Sequence, residues 1–361
     1  MLSDSFLSQV SQWQAIPALA KAINDRVAML DALPTLKAKK AACPIMNPSK
    51  RNSSPVQTRM LPINAIAWQA AMILCGVRKV AGTQSKLSKA QEAIGVVNIG
   101  VTLSSATEAS DWLTTLGDKR SARFNACKGA TAACVFACVG SETGQGRQKS
   151  SWIARVGKTV ALFHNPERFM SALCAELESR RANAARLGMR LAVRANVAAD
   201  LAWLAGELAR LCPGIDFYDY TAITANMRLN DGVRRVYSLK DGLQRKRLAH
   251  KMLSAGHGLA VVFRVTSTGT AKATRGQDYS RGLELPPSIP VEGLGNVPVL
   301  RGDDHDVWYE MKTHKGETVR DLQDAGRPFI VGLKLKGTTT DQIDESLDSG
   351  FAKDFDVFAS L

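Results

Sequence analysis

The stretch MRLAVRANVAADLAWLAGELARLCPGIDFYDYTAI, residues 189–223, decides the fold. MRLAVRA (189–195) is a short apolar run broken by arginine and reads as a buried strand. DLAWLAGELARL (200–211) reads as a helix, Pro213-Gly214 as a turn, and IDFYDYTAI (215–223) as an aromatic, β-branched strand. Strand, helix and strand in that order predict a βα unit, whose crossover helix lets two strands run parallel.

The same alternation extends outward. IGVVNIGVTL (94–103) reads as a strand, and a long helix runs from Pro166 to Leu187, where Gly188 ends it. RRVYSL (234–239) is a strand, QRKRLAHKMLSA (244–255) a helix and GLAVVFRV (258–265) a strand; VPVL (297–300) and FIVGLKLKG (329–337) complete the set. About five or six strands follow Ile94, which predicts an α/β fold with a mainly parallel sheet or an incomplete barrel of βα units. No internal repeat is visible. Upstream, residues 4–40 read as helical, with Ser3 and Asp4 as caps, Phe6, Val10, Trp13, Ile16 and Leu19 near helical spacing, and Pro17 as a kink or break. Residues 42–59 are rich in proline, serine, asparagine and arginine and read as a linker; 63–76 is an apolar helix ending at Gly76. The expected organisation is a helical N-terminal extension and linker over 1–60, an α/β core over 61–340 and an acidic tail over 341–361.

Lysine and arginine total 47 against 33 acidic residues, a net charge of +14. Asp341, Asp344, Glu345, Asp348, Asp354 and Asp356 gather at the end against Lys353 alone, so the rest of the chain is more basic still. A balance of this kind favours a polyanionic partner, nucleic acid first. No apolar run approaches the roughly 18 residues a membrane span needs. MLSDSFLSQVSQWQ lacks the basic and apolar regions of a secretory signal, so the expectation is a cytoplasmic protein without membrane contact. The seven cysteines, an odd number, read as reduced thiols or metal ligands and not as a disulfide framework.

Three of them fall in NACKGATAACVFAC, residues 125–138, spaced C-x6-C-x3-C at Cys127, Cys134 and Cys138. Thiolates are soft ligands suited to an iron–sulfur cluster or, alternatively, zinc. On a helix Cys134 and Cys138 share a face, and Cys127 can reach the same point from the loop before it. Gly129, Ala130, Ala132 and Ala133 leave room for a cluster. Three protein ligands leave one position open for substrate, water or a fourth residue, and His164, Cys174 and Asp219 are candidates for the last. The bland alternative is a small-residue helix with buried thiols.

Other constellations carry chemistry. Gly302-Asp303-Asp304-His305-Asp306 packs carboxylates and an imidazole before Trp308 and Tyr309; Asp303 and His305 are its candidate catalytic residues, and a polar turn is the alternative. Ligands of parallel α/β sheets bind at the carboxyl ends of strands. That places Arg194, Asn196 and Asp200, with Asp219, Tyr220 and Thr221 after the next strand, on a candidate pocket rim, where Asp219 and Tyr220 are catalytic candidates and helix capping by Asn196 or Asp200 is the alternative. Arg245, Lys246, Arg247 and Lys251 form a basic helix face suited to phosphates, as does Arg194; Lys149, Arg155 and Lys158 make a second basic stretch. A solvated surface is the alternative for each. No phosphate-binding G-x4-GK[ST] loop, no G-x-S-x-G elbow and no nickase-type histidine pair is present, although Tyr218 and Tyr220 are nucleophiles in principle.

These blocks, in order, resemble a phage-encoded family, the phage gene product eighty-eight family. Ser85-Lys86-Leu87-Ser88-Lys89 resembles its lead-in to the first strand, Cys127-x6-Cys134-x3-Cys138 its hallmark, and Gly144-Gln145-Gly146-Arg147 the turn that follows. Residues 189–203, 215–223, 297–309 and 330–337 resemble its later blocks, so the likeness covers about 80–340. This chain has Lys128 where the family often has proline, outside the presumed ligands. The resemblance implies a phage or plasmid setting in a bacterial host, an α/β and barrel-like fold, and iron–sulfur ligation by the three cysteines. Three readings of function follow. The first is a protein acting on or near nucleic acid in DNA replication or processing, with a metal or iron–sulfur site. The second is an iron–sulfur enzyme modifying a small molecule or nucleotide. The third is a non-enzymatic DNA-binding replication-initiation protein with structural zinc.

Overall fold

A computed structural model describes residues 1–11, 17–43, 63–82, 85–116, 125–136, 138, 148–266, 280–281, 284–335, 348–349, 352–353 and 357–359. Its helices are α1 (Asp4–Val10), α2 (Pro17–Asp31), α3 (Leu36–Ala42), α4 (Ile63–Leu74), α5 (Ser85–Ile94), α6 (Glu108–Thr115), α7 (Ala132–Phe136), α8 (Lys149–His164), α9 (Pro166–Arg186), α10 (Ala202–Leu211), α11 (Leu243–Ser254) and α12 (Val319–Asp324). Its strands are β1 (Ala81–Gly82), β2 (Val96–Val101), β3 (Arg190–Arg194), β4 (Asp216–Thr221), β5 (Val233–Ser238), β6 (Gly258–Thr266), β7 (Ser280–Arg281), β8 (Ser288–Val291), β9 (Gly295–Arg301) and β10 (Phe329–Leu335). The turn Gly144–Arg147 and most of the linker and acidic tail lie outside the described residues.

The ten strands form one sheet in the order β1-β2-β3-β4-β5-β6-β10-β9-β8, with β7 beside the end of β6. From β2 to β6 each strand lies parallel to the next in sequence, as the βα reading requires. β10 then inserts between β6 and β9, parallel to both. Among the described strands the antiparallel pairs are at the edges: β1 against β2, and β8 against β9. Pro290 is tolerated in β8 because that strand is an edge.

Period-two alternation gives the sheet two apolar faces. The register aligns Ile99, Val193, Phe217 and Val233 on one of them. They share a core with Trp112 of α6, Val156 and Val160 of α8, Phe169 and Leu173 of α9, and Leu204 and Leu208 of α10. Further along this face Tyr237, Leu259, Val299 and Ile330 pack with Met252 and Leu253 of α11. The opposite face presents Ala192, Tyr218, Val236, Ala260, Leu300 and Val331. It is covered by Val307, Trp308, Tyr309, Val319 and Leu322 from the segment between β9 and β10, and by Ala90 of α5. Helices on both faces are what buries a parallel sheet.

The N-terminal segment forms three helices, with a new helix starting at Pro17, the break point expected from the sequence, and a further break before Leu36. Ser3 caps α1 by accepting from the Phe6 N–H at 3.3 Å, and its own N–H and hydroxyl donate to buried Glu207 of α10 at 2.9 and 2.8 Å. Phe6 meets Trp203 edge-on at 5.2 Å, and Leu19 and Ile23 of α2 join the main core. Of the basic stretch expected at Lys149, Arg155 and Lys158, Lys149 is exposed at the start of α8, and the correction concerns Arg155 and Lys158, which lie on the inner part of that helix. Its Gly157 lies so close to Gln69 of α4 that an added Cβ would stand 2.2 Å from that side chain. Arg155 is buried and paired with Glu108 at 2.6 Å; burial holds the Lys158 amine down to about 8.

Candidate functional site at the carboxyl ends of the strands

The cysteine segment lies across the carboxyl ends of β2 to β5. Backbone bonds tie it down on both sides: Ala126 N–H donates to Ala106 O at 2.8 Å, and Asp200 N–H, after β3, donates to Ala126 O at 2.8 Å. Gly129 abuts Ala222 at the end of β4, where a Cβ would come within 2.7 Å of the Ala222 Cβ. Thr131 is hydrogen-bonded to Asp241, just past β5, and its hydroxyl accepts from the Cys134 N–H at 3.2 Å, which starts α7. Cys138 follows that short helix, its N–H donating to Val135 O at 3.3 Å.

The Cys127 thiol lies within electrostatic range of Cys134 and Cys138. Burial pushes the Cys127 thiol up to about 12, against the pull of Lys240 and with the help of Asp200, Cys134 and Cys138. Burial works against the Lys240 ammonium, but Cys134, Cys127 and Asp200 around it and a hydrogen bond with Cys134 hold it charged. The same ammonium donates to Ser238 at 3.2 Å. As placed, no three His, Cys, Asp or Glu side chains among the described residues are close enough together to hold an ion. Of the candidates for a fourth ligand, His164 bonds Asn24 at 2.9 Å, Cys174 is hydrogen-bonded to Cys212, and Asp219 faces Asn196; none is among the groups acting on Cys127.

Two buried carboxylates stand beneath this loop. Asp200 accepts from the Thr221 hydroxyl at 3.0 Å and the Ala222 N–H at 2.9 Å, and burial raises its pKa against those bonds. Asp219 accepts from Asn196 Nδ2 at 2.5 Å and the Tyr220 N–H at 2.9 Å. Burial, then the nearby Asp200 charge, raise it to about 7. A carboxyl group in that range exchanges a proton at neutral pH.

Tyr220 points to the other side of the sheet, away from Asp219. There Arg194 pairs with Asp306 at 3.1 Å and lies over the Tyr220 ring at 4.5 Å. Tyr218 donates to Asp306 at 3.1 Å and bonds Asn98 at 2.9 Å. Burial, with Asp306 next, holds both phenols well above their ordinary range, so they remain protonated. The turn after β9 supplies this carboxylate. Asp303, in the same turn, accepts from the Lys334 N–H at 2.7 Å, while its carbonyl takes Lys89 Nζ at 3.0 Å. His305 is buried beside Asp306, ahead of the wall in which Trp308 stacks on Phe329 at 5.9 Å.

The basic face of α11 divides. Arg245 and Lys246 are in its first turns, and Arg245 donates to Ala222 O at 3.2 Å, the residue that Gly129 abuts. Arg247 and Lys251 are exposed further along the helix. The sequence did not single out Lys240 or Asn98 and offered Asp306 only as part of the acidic turn; Cys134, Tyr218 and Arg194, which they meet, lie far off in the chain.

Fold and site together define an α/β protein whose cysteine loop and buried carboxylates share the carboxyl-end mouth of a parallel sheet. The model of the Gene product 88 family matches residues 78–341, and the chain belongs to that phage family. The match takes in the whole sheet and the cysteine loop. No curated protein and no solved structure matches the chain. Among the described residues no helix is long and apolar enough to cross a membrane.

Proposed function

We propose that this protein is an enzyme acting on nucleic acid, with an iron–sulfur cluster held by Cys127, Cys134 and Cys138 at its reaction centre. The observation that carries the reading is the position of the cysteine loop. It is bonded to the ends of β2, β3 and β5, where parallel α/β sheets bind their ligands. The donors suit the group by their chemistry: three soft thiols on one segment, with Cys134 and Cys138 within electrostatic range of Cys127, beside a lysine whose charge offsets theirs; as placed they stand too far apart to close on an ion, so a cluster would have to draw them together. Structural zinc takes four protein ligands, and this loop offers three, so the reading favours a centre with an open position. When bound, such a cluster supplies redox chemistry and a coordination position for substrate. The chain's own residues do the rest. Lys240 stabilises the thiolates, Asp219 holds or releases a proton near neutrality, and the Arg194–Asp306–Tyr218 network keeps the strand ends rigid. Arg245 and Lys246 supply positive charge for a phosphate backbone.

The test is equilibrium binding of labelled DNA and RNA to the anaerobically purified chain over a salt series. The reading expects affinity that falls steeply with salt. It fails if no nucleic acid binds at low salt. A nucleotide-modifying enzyme is the second reading. Arg245 favours it, because its bond to Ala222 sets a guanidinium suited to one phosphate close to the cysteine loop.

A further inference from the structure

The rim of the cysteine mouth combines two features that do not usually coincide. The first is exposed apolar surface. Val135 and Phe136, the last residues of α7, are 43% and 46% exposed, one turn or less from Cys134. Leu243, which opens α11, is 61% exposed. Scattered apolar side chains are ordinary on a surface, but here an aromatic ring stands on the short helix that carries a site cysteine.

The second feature is gathered positive charge. Lys353 is fixed alongside β6, its N–H donating to Val262 O at 2.8 Å and its carbonyl accepting from Arg264 N–H at 2.9 Å. Burial lowers the pKa of its ammonium; Asp241 nearby works against that, while the neighbouring cations Lys246 and Arg264 add to it. Asp241 also takes the hydroxyl of Thr131, the residue that leads into α7. Arg245 reaches Ala222, against which the cysteine loop is seated. The segment that leads into α7 therefore meets these cations at Asp241 and Ala222, and Phe136 stands at the far end of that five-residue helix.

We propose that this rim seats a single nucleic-acid strand, with one base stacked on Phe136 and the flanking phosphates on Arg245, Lys246 and Lys353. The inference rests on the nucleic-acid reading above and deepens it by naming the substrate class. Cations alone serve any phosphate backbone, duplex or single-stranded. An exposed ring adds affinity only where a base face is unstacked, which a single strand offers and an intact duplex does not.

The experiment is fluorescence-anisotropy titration of the full chain with a labelled oligothymidylate and with a duplex of equal length. It is repeated for Phe136→Ala, Phe136→Trp and Lys246→Ala, each checked for native circular dichroism. The expected result is tighter binding of the single strand. Phe136→Ala weakens it by about 10-fold, within the range for loss of one stacked base, with the salt slope unchanged. Phe136→Trp restores it, and Lys246→Ala lowers the slope by about 0.7. If Phe136→Ala binds the single strand as wild type does while Lys246→Ala weakens it, the base seat is overturned and the nucleic-acid reading survives. Equal affinity for duplex and single strand also overturns the seat. If the wild type binds neither, both fall.

Discussion

Asp219 ties the chemistry of the mouth to the stability of the fold. Its carboxyl group is held at about 7 by burial and by Asp200, against about 3.9 in an unfolded chain. An acid whose pKa is raised on folding holds its proton more tightly in the native state, so stability falls as pH rises from about 4 to about 7. Asp219→Asn removes this dependence. Urea unfolding at a series of pH values is expected to show a flatter profile for the variant and, at pH 8, a gain on the order of a few kcal/mol over wild type. Identical pH profiles would refute the assignment. Gly129 is the second residue to test. Its place against Ala222 has no room for a Cβ, so Gly129→Ala is expected to cost about 1–3 kcal/mol and lift the cysteine loop, seen as faster alkylation of Cys127. Unchanged stability and alkylation would mean that the loop is not seated on β4. Single residues were also where sequence reading stopped. Asp306 stood in a conspicuous acidic turn, but its partner Arg194 lies 112 residues earlier, on a strand that only the fold brings alongside.

Elements were legible where local and global signals agreed. The run β3, α10, β4 is read straight from apolar periodicity and a Pro-Gly turn, and the structure keeps it with boundaries moved by a residue or two. The long helix α9 was equally plain, with Asn165 as cap, Pro166 at its first position and Gly188 at φ +69° beyond its end. Helix α8 was not. Arg155 and Lys158 interrupt its apolar face, and nothing in the local sequence shows that Glu108, 47 residues away, neutralises Arg155 inside the protein. This pair carries a prediction for the element. Glu108→Gln strips the carboxylate from a buried guanidinium and is expected to destabilise by about 3–5 kcal/mol in denaturant unfolding. A loss below about 1 kcal/mol, the range of an exposed pair, would show that α8 is not held this way.

For the whole molecule, the parallel α/β architecture expected from the sequence is the one observed, as is membership of the Gene product 88 family. The insertion of β10 between β6 and β9 was not legible, because strand order depends on crossovers that leave no mark in local periodicity. The N-terminal helices matter at this scale. Phe6, Val10, Leu19 and Ile23 complete the core that α8, α9 and α10 build on the sheet. Deleting residues 1–43 is expected to lower the thermal midpoint sharply or abolish soluble expression; a truncated chain as stable as wild type would contradict that packing. The measurement that bears most directly on the account is the visible spectrum of the anaerobically purified chain, with its iron and sulfide content, beside a Cys134→Ser control. The account predicts a brown protein containing both, whose colour is lost in the control while circular dichroism is kept. A colourless chain, whether zinc-loaded or metal-free after reconstitution with ferrous iron and sulfide, would contradict it.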